Sequence, residues 1–355
     1  MLVGETTYIY LEKTVKDEDE TYVDEVIEPV TVYARFKDGE LVDYGWKLIA
    51  HEPKLELAGR PVKVELRSIS RSSLPTLMSK ETMERFLKGE KAKGFEELYP
   101  PVKHYVKSFV NLSWDLRLYD LLTCYIIATY FFDIFTAFPR LYFYGSYGAG
   151  KTRGMLTTTL ASRHGFTVVD PSDASSYHSI EAFGVTLGID ESALTEKMMK
   201  ILSAGYKKGL KVPRVEKTSK EKFILRLMDT YAPVILATTE DLREIIKQRC
   251  ITVIMNIASD PHPEKRDPTV FDSQGLREEL YLARLTRAWE VYEAVKQVNR
   301  ELEGKIVGRP RELWLPLLTI AKLVGEDVYN NILALALEDV EKRKEELYHE
   351  ERMVL

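Results

Sequence analysis

The chain has 355 residues, a formal net charge of -5 and a sequence pI near 5.9, with 45% hydrophobic and 30% charged residues. Single cores stop growing near ~250–300 residues, so this length points to two domains, or to one large core with an appendage. The acidic balance excludes a protein that coats nucleic acid with its whole surface and leaves room only for a local basic patch.

Residues 1–75 favour strands. Tyr8-Ile9-Tyr10 and the stretches 30–36 and 62–66 are rich in β-branched and aromatic residues, Lys37-Asp38-Gly39-Glu40 is a hairpin-type turn, and Asp17-Glu18-Asp19-Glu20 reads as a solvated loop between strands. This is an N-terminal β-rich domain. Residues 76–138 form a helical linker and lead-in, starting near Ser79 ahead of Met83, Phe86 and Leu87 and continuing through 103–112 and 115–132. The most apolar run, 121–132, lies between Asp120 and Asp133. It is shorter than the ~20 residues a membrane span needs, so it reads as a buried helix and no membrane contact is expected. Residues 139–260 carry five apolar runs, at 140–144, 167–169, 185–189, 233–239 and 250–255, of the kind found in parallel strands buried on both faces. Residues 261–355 hold two helical blocks, 272–303 and 311 to about 350, interrupted by Gly325, which make a C-terminal α-helical lid. The fold class expected is therefore α/β, with a five-stranded parallel core between β-rich and helical flanks. Two cysteines, Cys124 and Cys250, without a CxxC pair or a histidine cluster, argue against a disulfide framework or a zinc site and suit a reducing, cytoplasmic setting. No basic, then apolar, secretory signal is visible at the N-terminus.

The chemistry concentrates in the middle of the chain. Gly145-Ser146-Tyr147-Gly148-Ala149-Gly150-Lys151-Thr152 follows a strand and opens a helix that begins with Arg153, which meets the pattern G-x-x-x-x-G-K-[ST] in its required context. Glycines let successive backbone N–H groups surround phosphates, and the helix N-terminus adds positive potential. This motif implies a nucleoside triphosphate, ATP, with Mg2+; Lys151 would bridge the β- and γ-phosphates and Thr152 would ligate the metal. A second apolar strand ends in Asp190-Glu191. Asp190 suits the magnesium shell, and Glu191 suits polarisation of an attacking water. The strand at 233–239 ends in Thr238-Thr239; Thr239, or Thr238, could orient that water, or could cap a helix at 241–246. Arg249 precedes the last strand, where it is either a finger on a neighbouring subunit's nucleotide or a helix-end arginine. Between these sites, 211–216 and 222–227 read as two strands joined by a turn at 217–221. Lys207, Lys208, Lys211, Arg214, Lys217, Lys220 and Lys222 outnumber Glu216 and Glu221 there, giving a positive patch on an acidic chain. Tyr206, beside it, either stacks on a base or is buried.

These segments together resemble the AAA+ ATPases, and more narrowly the helicase-like ATPase domains of phage, plasmid and integrated-element replication proteins, related in plan to minichromosome-maintenance and superfamily 3 helicases. The resemblance covers residues 103–345 and rests on five stretches, 129–139 leading into the P-loop, 188–191, 202–214, 245–255 and 308–321. It implies a P-loop NTPase (AAA+) core, a ring that is usually a hexamer, and Arg249 acting in trans. It also makes Arg311, with Arg309 as fallback, the lid arginine that touches the γ-phosphate, and places the basic hairpin in a central channel, where Lys208, Lys211, Arg214, Lys217 and Lys220 would grip DNA. The chain departs from the family at the sensor strand, where Thr238-Thr239 replaces the usual asparagine. The function implied is an ATP-dependent DNA motor, a helicase or replication initiator acting on single-stranded or forked DNA. The alternatives are a protein remodeller or loader, and an ATP-gated binding module with negligible turnover.

Overall fold

In the N-terminal part, β1 (Leu2–Asp17), β2 (Glu20–Lys37) and β3 (Glu40–Leu48) form an antiparallel sheet in that order, with the β2–β3 turn at Asp38-Gly39 where the sequence places it. The structure is a computed structural model and describes residues 1–17, 20–48, 55–57, 60–62, 76–168, 184–190, 199, 202–217, 223–239, 241–257 and 265–354; for 10–17, 20–27, 55–57, 60–62, 214–217, 224, 226 and 347–354 it describes the backbone element alone. The acidic run is shorter as a loop than expected, because β1 extends to Asp17 and β2 starts at Glu20. A small ladder pairs β4 (Leu55–Leu57) with β5 (Arg60–Val62); of the strand expected at 62–66, residues 63–66 lie outside the described residues.

Three helices lead into the core. In α1 (Lys80–Leu87), Ser79 caps the N-terminus by accepting from the Thr82 N–H at 3.2 Å, which removes one orphan donor of the first turn. α2 (Phe95–Phe109) begins earlier than the periodicity indicates. Every residue of α3 (Arg117–Thr129) from Leu118 onward is buried, so its apolar run is spent on packing. Among the described residues no helix is long and apolar enough to cross a membrane.

Five strands make one parallel sheet: β6 (Arg140–Gly145), β7 (Gly165–Val168), β8 (Thr186–Asp190), β11 (Val234–Thr238) and β12 (Cys250–Met255), in the order β12-β6-β11-β8-β7. Helix α4 (Lys151–Ala161) carries the chain from β6 toward the far edge at β7, and β8 then steps back. The hairpin of β9 (Lys211–Lys217) and β10 (Phe223–Asp229) follows, β11 inserts between β6 and β8, and α5 (Glu244–Lys247) leads to β12 on the other side of β6. Strand order thus reverses at β6, and open α/β sheets bind ligands at the carboxyl ends beside such a reversal. The C-terminal helices are α6 (Gln274–Glu301), α7 (Gly308–Val324) and α8 (Glu326–Val354), with Gly325 at the break between the last two. One buried apolar cluster runs from Val30 and Val32 through Ile127 and Phe143 to Leu285 and Leu313, and a second gathers Tyr142, Leu187, Ile189, Met228, Val234 and Leu236.

A buried ionic node ties these layers together. The Glu5 carboxylate of β1 receives the Arg163 guanidinium, the Arg284 guanidinium at 2.5 Å and His164 Nε2 at 2.9 Å. Arg284 also grips Asp133 with two nitrogens, at 2.7 and 2.8 Å. Burial by itself would raise the Glu5 pKa, but Arg163, His164 and Arg284 together outweigh it and hold this carboxyl far below the usual carboxylate range. Its folded pKa lies below its unfolded one, so its stabilisation is complete above the ordinary glutamate pKa and is withdrawn as the pH falls through the carboxylate range. Removing one member of a buried ion pair leaves its partner uncompensated, which costs about 3–5 kcal/mol. Glu5→Ala is therefore expected to lower the denaturant midpoint by a corresponding amount at neutral pH, and an unchanged midpoint would show that the node does not stabilise the fold.

Candidate functional site

β6 ends at Gly145 and α4 starts at Lys151, leaving a short loop at the carboxyl end of β6, which lies between β12 and β11 in the sheet. Gly148 (φ 79°) and Gly150 (φ 83°) are left-handed, a conformation that side-chain-bearing residues adopt only at a cost. Left-handed residues interleaved with ordinary ones form an anion-binding nest, and the unpaired N–H groups of the first turn of α4 lie next to it. Ala149 is buried against the core, whereas Tyr147 stands out at the tip, 92% exposed.

The side chains converge on this loop. Lys151 is 8% exposed, and its ammonium donates to the Ser146 carbonyl at 2.8 Å. A neutral carbonyl is a weaker partner than a phosphate oxygen, so this contact is one that an anion can displace. Thr152 donates from Oγ1 to Asp190 Oδ2 at 3.4 Å. Asp190 ends β8 and lies in register with Ala237 of β11. A hydroxyl and a carboxylate side by side at the mouth of a nest are a hard-oxygen donor set suited to magnesium. Arg153, on the first turn of α4, pairs through Nε with Asp267 at 3.0 Å, tying that turn to the segment before the lid. Thr238 is buried at the end of β11 beside Tyr144, and Thr239 is exposed one residue beyond. The capping alternative for Thr239 fails, because α5 starts at Glu244 with Arg243 as its N-cap. Glu191 and Lys220 lie outside the described residues, and Arg214 and Lys217 are described as backbone of β9 only.

Arg249 is at the opposite end of the sheet. Cys250 is in register with Arg140 and Met255 with Gly145, so the arginine sits at least about 17 Å from the loop along the strands. Its guanidinium donates to the Ile245 carbonyl and lies over the Tyr206 ring, 5.0 Å from the centroid. Arg309 approaches the same ring at 6.0 Å and donates to Gln248 Oε1 at 2.7 Å. Tyr206 is thus buried as a platform for two cations. Among the described residues neither arginine has a carboxylate partner; burial, and then the charge of Arg309, lowers the Arg249 pKa. Arg311, the first choice for the lid arginine, points elsewhere: it donates from Nε to Asn299 Oδ1 at 3.0 Å and lies 3.7 Å from Glu303. Positions 309 and 311 are about 200° apart around a helix, so both cannot face the sheet, and it is Arg309 that stands with Arg249.

No family model matches the chain, and no curated protein matches it. Among the solved structures similar to it are two helicase-related ones. One is described as "SCCmec type IV Cch - active helicase", at 11% identity and a TM-score of 0.37, covering 64% of this chain and 47% of that one. The other is a full-length MCM homolog from Methanopyrus kandleri, at 10% identity and a TM-score of 0.41, covering 94% of this chain and 76% of that one. The chain therefore spans about half the length (47%) of the first. Neither likeness assigns a role to any residue here.

The hairpin differs from its expected character. At its root, the Lys208 ammonium donates to the Asp133 carbonyl and lies 5.7 Å from the Tyr231 ring centroid, which ties it to the buried node and takes it away from the tip. Burial lowers the Lys208 pKa. Lys211 is exposed at the start of β9. Along β10, Phe223, Leu225 and Leu227 are 74%, 65% and 54% exposed. The basic residues dominate this segment in the sequence, and the exposed row is not legible there, because 223–228 is an almost continuous apolar run broken only by Arg226, with no period of two to mark an outward face.

Proposed function

We propose that the chain is a P-loop ATPase of the AAA+ type that hydrolyses ATP and couples hydrolysis to movement on DNA as a ring-forming motor. The observation that carries the reading is the Thr152–Asp190 contact at 3.4 Å beside a nest-forming loop whose lysine donates to a backbone carbonyl. In this reading the loop amides and Lys151 bind the β- and γ-phosphates, and Thr152 and Asp190 hold the metal. A magnesium ion, when bound with the nucleotide, neutralises phosphate charge. Glu191 accepts the proton of the attacking water, while Thr238 or Thr239 orients that water from the end of β11. Arg249 is too far from the loop of its own chain to act there, so it would reach the nucleotide of the next subunit, with Arg309 beside it. This requirement favours a ring, and the family resemblance makes a hexamer the expected size. The hairpin, carrying Lys211, Arg214, Lys217 and Lys220, would grip the phosphate backbone.

The test compares magnesium-dependent ATPase rates with single-stranded DNA, duplex DNA and an unfolded protein. Stimulation by DNA is expected; stimulation by unfolded protein alone would replace the DNA motor with a remodeller. Replacing Lys217 and Lys220 with alanine should weaken single-strand binding and flatten the slope of log affinity against log salt by about 1.4, since two phosphate contacts are lost. An unchanged slope would remove these lysines from the grip.

A further inference from the structure

We infer that the exposed row Phe223, Leu225 and Leu227 on β10 is a platform for unstacked nucleobases, so that the hairpin holds a single strand by its bases as well as by its phosphates. The inference rests on the reading of this hairpin as the nucleic-acid grip and adds the partner's class. Large apolar side chains exposed in a row, in a strand whose register partners are Lys217, Val215 and Pro213, mark an interaction surface. The root of the same ribbon is packed: Met228 is fully buried, and Val212, its register partner, packs on the core. The apolar row is therefore set on the part of the ribbon that projects from a fixed base.

The choice of occupant follows from charge. Lys207 and Lys208, at the root, are answered by the Glu312 carboxylate and the Asp133 carbonyl, and the ribbon beyond them, 211–222, still carries five lysines and arginines against two glutamates. A second copy of this hairpin would bring like charge against like, and an ordinary apolar polypeptide would leave the cations unanswered. A single-stranded nucleic acid meets both demands, because it joins a continuous anionic backbone to flat apolar faces. A duplex does not, because its bases are stacked inside. Alternate strand residues recur about every 6.8 Å, twice the ~3.4 Å rise of stacked bases, which fits a strand pulled out of stacking.

The probe that separates bases from phosphates is an abasic oligonucleotide of the same length and charge as an oligo-thymidine. With the full-length protein and a non-hydrolysable ATP analogue, oligo-thymidine is expected to bind at least about tenfold more tightly than the abasic strand. Phe223→Ala should remove most of that preference while leaving the salt slope unchanged, and Phe223→Trp should restore it. Phe223 is 74% exposed, so the alanine variant removes no core packing. Equal binding of the two strands by wild type, with a normal salt slope, would overturn the platform and leave the phosphate grip standing. Failure of wild type to bind either strand would overturn both readings. A salt slope altered by Phe223→Ala, or displacement of oligo-thymidine by unfolded protein at equal affinity, would also overturn the platform.

Discussion

Lys151→Ala is expected to lower kcat/KM for ATP by at least about 10³-fold, with nucleotide binding weakened in parallel. A preorganised donor aimed at developing phosphate charge is worth about 10²–10³ even when it is neutral, and a buried ammonium beside the loop exceeds that. Lys151 is 8% exposed and held by the Ser146 carbonyl, so its position is set before any ligand arrives. The alanine shortens one side chain at the loop's edge and leaves the handedness of Gly148 and Gly150 intact, so lost activity would reflect lost charge and not a collapsed loop. Steady-state turnover and fluorescent-nucleotide titration check it. A variant that retained both would remove the loop from the chemistry altogether.

Arg249→Ala should reduce turnover by about 10³-fold or more, the range for an arginine that stabilises phosphoryl-transfer charge from a neighbouring subunit. The decisive form of the experiment mixes two inactive proteins. Glu191→Gln subunits lack the proposed base but keep the arginine; Arg249→Ala subunits keep the base but lack the arginine. In a mixed ring some interfaces place an intact base beside an intact arginine, and activity should return in part as the proportions approach equality. No recovery in rings shown to be mixed would confine Arg249 to its own subunit, where it is remote from the loop. An Arg309→Ala companion in the same mixture tests whether the two cations on Tyr206 act on one nucleotide.

Much of the sheet was legible because its determinants are local. Continuous runs such as Val234 to Ala237 are buried on both faces, and a glycine-rich stretch between a strand and a helix has few other solutions. Asp190 could be located because it ends such a run. What the sequence hid depends on partners far apart along the chain. Glu5, Arg163 and Arg284 each look like an ordinary surface charge in their own windows, and only folding buries them together, with Asp133 at the rim of the cluster. Which of Arg309 and Arg311 stands beside Arg249 was hidden for a related reason: α7 starts at Gly308, and the choice turns on which way the first turn faces, a matter of helical phase that composition does not encode. Lys208 was weighed with its basic neighbours, but the chain bends so that its ammonium closes onto Asp133.

The ionic node bears on how the chain can be divided. Arg163 follows the helix that starts at Lys151, Arg284 sits in a C-terminal helix, and the carboxylate they share comes from the fifth residue. Excising the N-terminal strands to obtain a smaller protein would maroon two guanidinium groups in an oily interior with one counter-ion missing. Those strands act as an internal electrolyte for the sheet and helices they precede, and they are not a detachable accessory.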